Sequence, residues 1–365
     1  MSEVHAARRA ALRAHCSPGD GTALLISRPA NLRYLVGAVP AHAALLLTPG
    51  GEDVLVGGGG ASRPGAPDDT LRLLAVDGDT DPAATAAVLA ARGGAASLAV
   101  EEHHLTVARY RAVRAAGGGL PLGDLARAVE HRRLVKDEAE IAALRTAAEI
   151  TDRALGELLE SILVGRTERH LALELERRLV DHGADGAAFP TSVATGANSG
   201  TAGHRPTDRR VEEGDFLTVR LGARYRGYRC RIGRTFVIGS RPADWQIELY
   251  ELVFAAQRAA RESLAPGTEC REVDRAARAV LDVAGHGDAL GPLTGEGVGL
   301  EMGEDPRLAP AAMGRLGVRV PVTVEPGVHL PGRGGVRIDD TLVVRPVADG
   351  GPELLTITTK ELLAL

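Results

Sequence analysis

The sequence predicts an α+β protein in two parts: a smaller α/β N-terminal domain, then a larger domain in which long helices pack on an antiparallel sheet. Three observations predict it. The 365 residues exceed what one hydrophobic core usually serves. The first half alternates short apolar runs with helical patterns, which argues for a small unit with a mixed or parallel sheet. Near residue 130 the character changes to long helical repeats followed by β-rich, glycine-rich sequence. The expected domains are 1–128 and 136–365.

In order along the chain, 23–27 (ALLIS), 43–48 (AALLLT) and 53–56 read as buried strands separated by turn residues. Segment 57–69 (GGGGASRPGAPDD) is too rich in Gly and Pro for regular structure. Helix-forming composition marks 82–92 and 106–116, with a strand at 97–101 between them. Segment 137–163 is a long helix with apolar residues at Ile141, Leu144, Ala148 and Leu155 and an acidic start, as the helix dipole prefers. A second helix covers 167–182; Thr167 followed by His170 lacks the Glu of a capping box. Strands follow at 215–223 and 227–239, joined by a short turn around Tyr225. Helices at 245–264 and 270–284 precede two β stretches, 318–325 and 335–344.

Composition narrows the chemistry. Hydrophobic residues make up 44% of the chain and charged ones 25%, which rules out disorder for most of its length. A net charge of −5 leaves no electrostatic footprint for nucleic acid. No apolar run is long enough to span a membrane, and the N-terminus has no apolar secretory core. Three scattered cysteines form no zinc or disulfide pattern. The chain therefore reads as cytoplasmic. Lys136 and Lys360 are its only lysines. Lys136 sits in the charged stretch VKDEAE and Lys360 lies near the C-terminal end of the sequence, so a pyridoxal enzyme is not expected.

Two long stretches carry a resemblance. HRRLVKDEAEIAALRTAAEITDRAL and the segment from GRTERHLALELE through GYRCRIGRTFVIG resemble the creatinase/aminopeptidase P (M24, Xaa-Pro peptidase-like) family. ALLISRPANLRYLVGAVPAHAALLLTPGGEDVLV is similar to the family's smaller N-terminal domain. The resemblance covers nearly the whole chain and implies the pita-bread fold. Peptidases of the family hold two divalent metals with Asp, Asp, His, Glu and Glu. Matched position by position, the first Asp falls on Arg220, the second on Arg231 and the His on Glu296 in GEGVGL. A further His that polarises substrate falls on Gly303. The first Glu is kept as Glu325 in VEPG, and the last becomes Asp339 in GGVRIDD. His204 in GHRPTD stands for the substrate-contacting His.

Guanidinium has no lone pair to donate and does not deprotonate in proteins, so arginine at two ligand positions argues against a dinuclear centre. No metal and no other cofactor is expected. If the strands pair so that residue numbers sum to 451, Arg220 and Arg231 stand directly opposite on one face, where Glu296, Glu325 and Asp339 can neutralise them. The expected function is a metal-independent enzyme cleaving a C–N bond, by hydrolysis or elimination, in a small carboxylate-bearing, amino-acid-like metabolite.

By resemblance to the metal-free creatinase branch, His204 transfers the proton and Glu325 grips substrate nitrogen. Arg220 or Arg231 holds an anion, with Glu296 and Asp339 beside them. Arg337 orients the acidic cluster, and His42 reaches a neighbouring subunit's site in a homodimer. Two other readings stand: an inactive, peptidase-like scaffold, and a hydrolase with one cation on Glu296, Glu325 and Asp339. A scaffold would have its arginines fully paired; an enzyme would keep a donor open.

Overall fold

The computed structural model describes residues 2–17, 19, 21–37, 42–58, 71–161, 163–239 and 241–365. These residues fall into two compact units, Met1–Arg133 and Leu134–Leu365.

The first unit is built on a six-stranded mixed sheet. Its order is Leu71–Val76, Asp53–Gly58, Ala43–Leu47, Thr22–Ile26, Ser97–Val100 and Leu122–Asp124. Antiparallel pairing joins the second, third and fourth of these, and the outer contacts are parallel. The runs Thr22–Ile26 and Ala43–Leu47 are almost wholly buried, as continuous apolar strands should be. Sequence reading missed the helices Ser2–Cys16, Pro29–Val36 and Ala128–Arg133 and the two outer strands. Gly57 and Gly58, expected in a loop, instead pair with Ala75 and Val76, because main-chain hydrogen bonding needs no side chain. The rest of that glycine-rich segment lies outside the described residues.

The second unit is the expected α+β layer. Helix Glu138–Leu159 starts on a capping box: Asp137 accepts from the Glu140 amide, and Glu140 accepts in return from the Asp137 amide. Ile141, Leu144, Ala148 and Leu155 are all fully buried. They pack with Leu217, Val219 and Leu221 of strand Phe216–Leu221 and with Ile232 and Phe236 of strand Ile232–Val237. Thr167 does cap helix Glu168–Asp181, its hydroxyl accepting from the His170 amide. Helices Asp244–Glu262 and Cys270–Val283 supply Leu249, Val253, Val273 and Ala277 to a second core with Val322, Val324 and Leu342.

Among the described residues, four antiparallel sheets make up the β layer of this unit. Strand Phe216–Leu221 alternates faces: Leu217, Val219 and Leu221 enter the core, and Thr218 and Arg220 point the other way.

The hairpin register corrects the sequence reading. Arg220 stands opposite Gly233, Arg224 opposite Arg229 and Tyr225 opposite Tyr228, so paired numbers sum to 453. The two central residues of the turn, Arg226 (φ +49°) and Gly227 (φ +83°), are left-handed, as a type I′ hairpin turn requires. That turn, one residue further on than expected, moves the register by two. Because the shift is even, Arg220 and Arg231 stay on one face as diagonal neighbours.

The stretch expected as one strand at 335–344 is two, Gly334–Arg337 and Asp340–Val343, in different sheets. The break falls at Asp339, whose amide and carbonyl both bond Gly233 instead. Only glycine fits at 233, since a Cβ there would lie 2.6 Å from the Asp339 carboxyl carbon.

Candidate functional site

Strand ends bring seven charged side chains together in the second unit. Glu296 lies on Gly295–Val298, directly opposite Arg307 of Met302–Leu308. Glu325 follows Pro321–Val324, Arg337 ends Gly334–Arg337, and Asp339 precedes Asp340–Val343. Arg220 and Arg231 come from the hairpin.

The arginines bridge the carboxylates in sequence. Arg220 Nε lies 2.8 Å from Asp339 Oδ2, and its Nη2 lies 3.1 Å from Glu325 Oε2. Arg337 Nε donates to both Asp339 oxygens at 2.7 and 3.0 Å, and its Nη2 to Glu325 Oε2 at 2.7 Å. Arg231 Nη1 donates to Glu325 Oε1, and its Nη2 lies 3.3 Å from Glu296 Oε1. Arg307 Nη1 closes the chain on Glu296 Oε2 at 3.3 Å. Thr323 Oγ1 adds a fourth donor to Glu325.

Burial makes these contacts consequential. Asp339, Glu325, Glu296 and Arg231 are all buried, and Arg220 keeps 26% of its side chain exposed. Burial alone would push the Asp339 carboxyl up. Arg337, Arg220 and Arg231 outweigh it and hold the group below its ordinary value. Burial and the neighbouring Arg337 lower the pKa of Arg220. Four guanidinium groups face three carboxylates, a formal surplus of one positive charge. Arg231 Nε is buried without a hydrogen-bond partner.

His204 lies apart from this network in its bonding. Its Nε2 donates to Glu168 Oε2 at 2.8 Å, and its carbonyl accepts from Ser192 Oγ. Glu168 is fully buried and also accepts from the Thr195 and Thr207 amides, the Thr207 hydroxyl and Asn198. Burial opposes its ionisation, but hydrogen bonds from Asn198, His204 and Thr207 win and lower its pKa. His42 is exposed in the first unit.

Sequence reading missed Arg307, Glu168 and His329. His329 lies on strand Gly327–Leu330, four residues after Glu325, and its Nδ1 donates to the Ser199 carbonyl at 3.0 Å. The imidazole in V-E-P-G-V-H was the available signal.

Residues 142–346 match the model of metallopeptidase family M24, and residues 8–135 match the creatinase/prolidase N-terminal domain. The chain belongs to family M24. It is 37% identical to an Xaa-Pro dipeptidase of Pyrococcus horikoshii over 64% of this chain and 66% of that one, just under two thirds of the relative's length. An uncharacterized peptidase of Bacillus subtilis is 35% identical over 74% of this chain and 76% of its own. Among solved structures, an Xaa-Pro dipeptidase from Bacillus anthracis superposes with a TM-score of 0.89 at 29% identity, covering all of both chains. The pita-bread fold expected from the resemblance is therefore the fold of this M24 chain.

Two metal ions are implied by that resemblance, and the residues here do not fit them. Arg220 and Arg231 have no lone pair to offer, and with Arg337 they occupy oxygens of Glu325 and Asp339. A single cation on Glu296, Glu325 and Asp339 would have to displace guanidinium from all three. Among the described residues, no three His, Cys, Asp or Glu side chains group as a cation site. Among the described residues, no helix is long and apolar enough to cross a membrane.

Proposed function

We propose that this M24 chain is a metal-independent enzyme that holds a small, amino-acid-like substrate by its carboxylate and cleaves a C–N bond in it. The observation that carries this reading is the surplus positive charge of the seven-residue cluster. A mostly buried cluster with one excess guanidinium at its half-exposed Arg307 edge favours a bound monoanion, and arginine's fork matches a carboxylate. Arg220 and Arg307 are partly exposed, so their guanidinium groups are reachable from solvent. The relatives named as peptidases support C–N cleavage as the reaction class.

In this reading His204 carries a proton, with Glu168 fixing the ring through Nε2–H and leaving Nδ1 as the exchanging atom. Glu325 is engaged by three arginines and Thr323, so it serves the site by spacing the guanidinium groups. A homodimer is part of the proposal, with His42 beside the partner's site.

A second reading is favoured by one observation: Arg220, Arg231 and Arg337 are each tied to two carboxylates. That is the pattern of a binding protein without turnover. A thermal-shift screen of N-acyl amino acids and dipeptides, followed by detection of released amine, separates the two. Stabilisation with amine release supports the enzyme, stabilisation without it supports the binding protein, and no stabilisation removes both.

A further inference from the structure

We propose that His329 is a catalytic proton acceptor of this site, an assignment that rests on the carboxylate-binding reading above. The case begins with the sheet. In the hairpin of Gly327–Leu330 and Gly334–Arg337, His329 pairs with Gly335 and Gly327 pairs with Arg337. His329 and Arg337 therefore share one face as diagonal neighbours, while Val328 and Val336 point together into the core at zero exposure. The residue directly opposite the imidazole is a glycine, so no side chain stands straight across from it.

The ring's tautomer follows from its bond to Ser199. A carbonyl oxygen only accepts, so the Nδ1 that meets the Ser199 carbonyl carries the proton, and Nε2 of the neutral ring holds the lone pair. Ser199 is itself buried and pinned, donating to the Gly196 carbonyl at 2.6 Å and accepting from the Gly335 amide at 2.9 Å. The ring is thus held by a fixed oxygen.

The charged groups that act on it electrostatically are Arg337, Arg220 and Asp339, all members of the cluster. Burial, aided by the two arginines, keeps the imidazole pKa below its ordinary value despite the bond to Ser199 and the nearby Asp339. Neutral at physiological pH with Nε2 unprotonated, the ring has the form a general base needs.

With the carboxylate of an N-acyl amino acid on the guanidinium groups, Nε2 takes a proton from the water attacking the amide carbon. The C–N bond breaks, the water oxygen stays on the acyl carbon, and the proton passes to the leaving nitrogen, which departs as an amine.

The test uses the full-length protein, diethylpyrocarbonate, which acylates unprotonated imidazole nitrogen, and N-acetylglycine as the probe. Peptide mapping should find His329 labelled at neutral pH. N-acetylglycine at ten times its Kd should slow that labelling about tenfold by mass action. Labelling that N-acetylglycine leaves unchanged, while it still raises the melting temperature, would overturn the role of His329 and leave carboxylate binding standing. An unlabelled His329 in the free protein would also overturn it. No rise in melting temperature would instead remove the carboxylate-binding reading itself. His329→Asn, which keeps a donor toward Ser199 but no base, should retain the N-acetylglycine stabilisation and lose amine release by about 100-fold or more. Loss of the stabilisation in that variant would mean that the histidine only holds the site together.

Discussion

The guanidinium of Arg231 lies over the ring of Phe189, its Cζ 5.0 Å from the centroid, while its Nε is buried without a hydrogen-bond partner. The same group spans Glu325 and Glu296. A lysine ammonium is a point charge that cannot lie flat on the ring and bridge both carboxylates. Arg231→Lys should lower stability by about 1–3 kcal/mol in denaturant titration, the scale of a lost charge-assisted hydrogen bond. Arg220→Lys, at the more exposed position, should cost stability less and weaken N-acetylglycine binding by about 1–3 kcal/mol in calorimetry. Unchanged binding in both variants would remove the arginines from the ligand site.

Protein purified with Mn²⁺, Co²⁺ or Zn²⁺ present should carry well below one equivalent of metal per chain in elemental analysis. Chelator should leave the melting temperature unchanged. Two tightly held ions would defeat the whole account of the cluster.

His204→Ala removes one of the donors that hold buried Glu168. Stability should fall by about 1–3 kcal/mol. If His204 also carries the proton, turnover of a cleaved N-acyl amino acid should fall by about 10²–10⁴. Undiminished turnover would leave His204 a purely structural residue.

Glu130 contributes to the acid sensitivity of the first unit. Burial opposes its ionisation, but hydrogen bonds from Asn31 and His103 bring its pKa to about 2, against 4.5 for a free side chain. A carboxyl depressed on folding contributes stability that is full above the unfolded value and is lost as pH falls through the folded one. Stability should therefore drop between about pH 4.5 and about pH 2, at no more than about 1.4 kcal/mol per pH unit from this group. Glu130→Gln should flatten that part of an acid-unfolding curve.

Light scattering should report a homodimer, since twofold pairing is the commonest closed assembly. A monomer at working concentration would end any role for His42 in a neighbouring site.

Much of this was legible in the sequence where the signal was local. The buried stripe of helix Glu138–Leu159 follows from its apolar periodicity, and helix Cys270–Val283 starts at the residue the sequence reading gave. Arg220, Arg231 and Glu296 were singled out by position, and the three side chains do meet in one network. What escaped was set by tertiary contact. Arg307 joins only because its strand lies against Glu296, and Asp339 interrupts a strand because Gly233 takes its main-chain bonds. The turn at Arg226–Gly227 places positive φ on an arginine, which composition does not announce.

The cations of this cluster are covalently part of the polypeptide. A metallopeptidase emerges from the ribosome incomplete and depends on the cell's metal supply, whose fluctuations and mismetallation change its activity. Here the positive charge is encoded codon by codon and delivered at synthesis, in fixed ratio to the carboxylates that neutralise it. In the proposed metal-independent reading, the site needs no maturation step, and mutation rather than metal scarcity alters it.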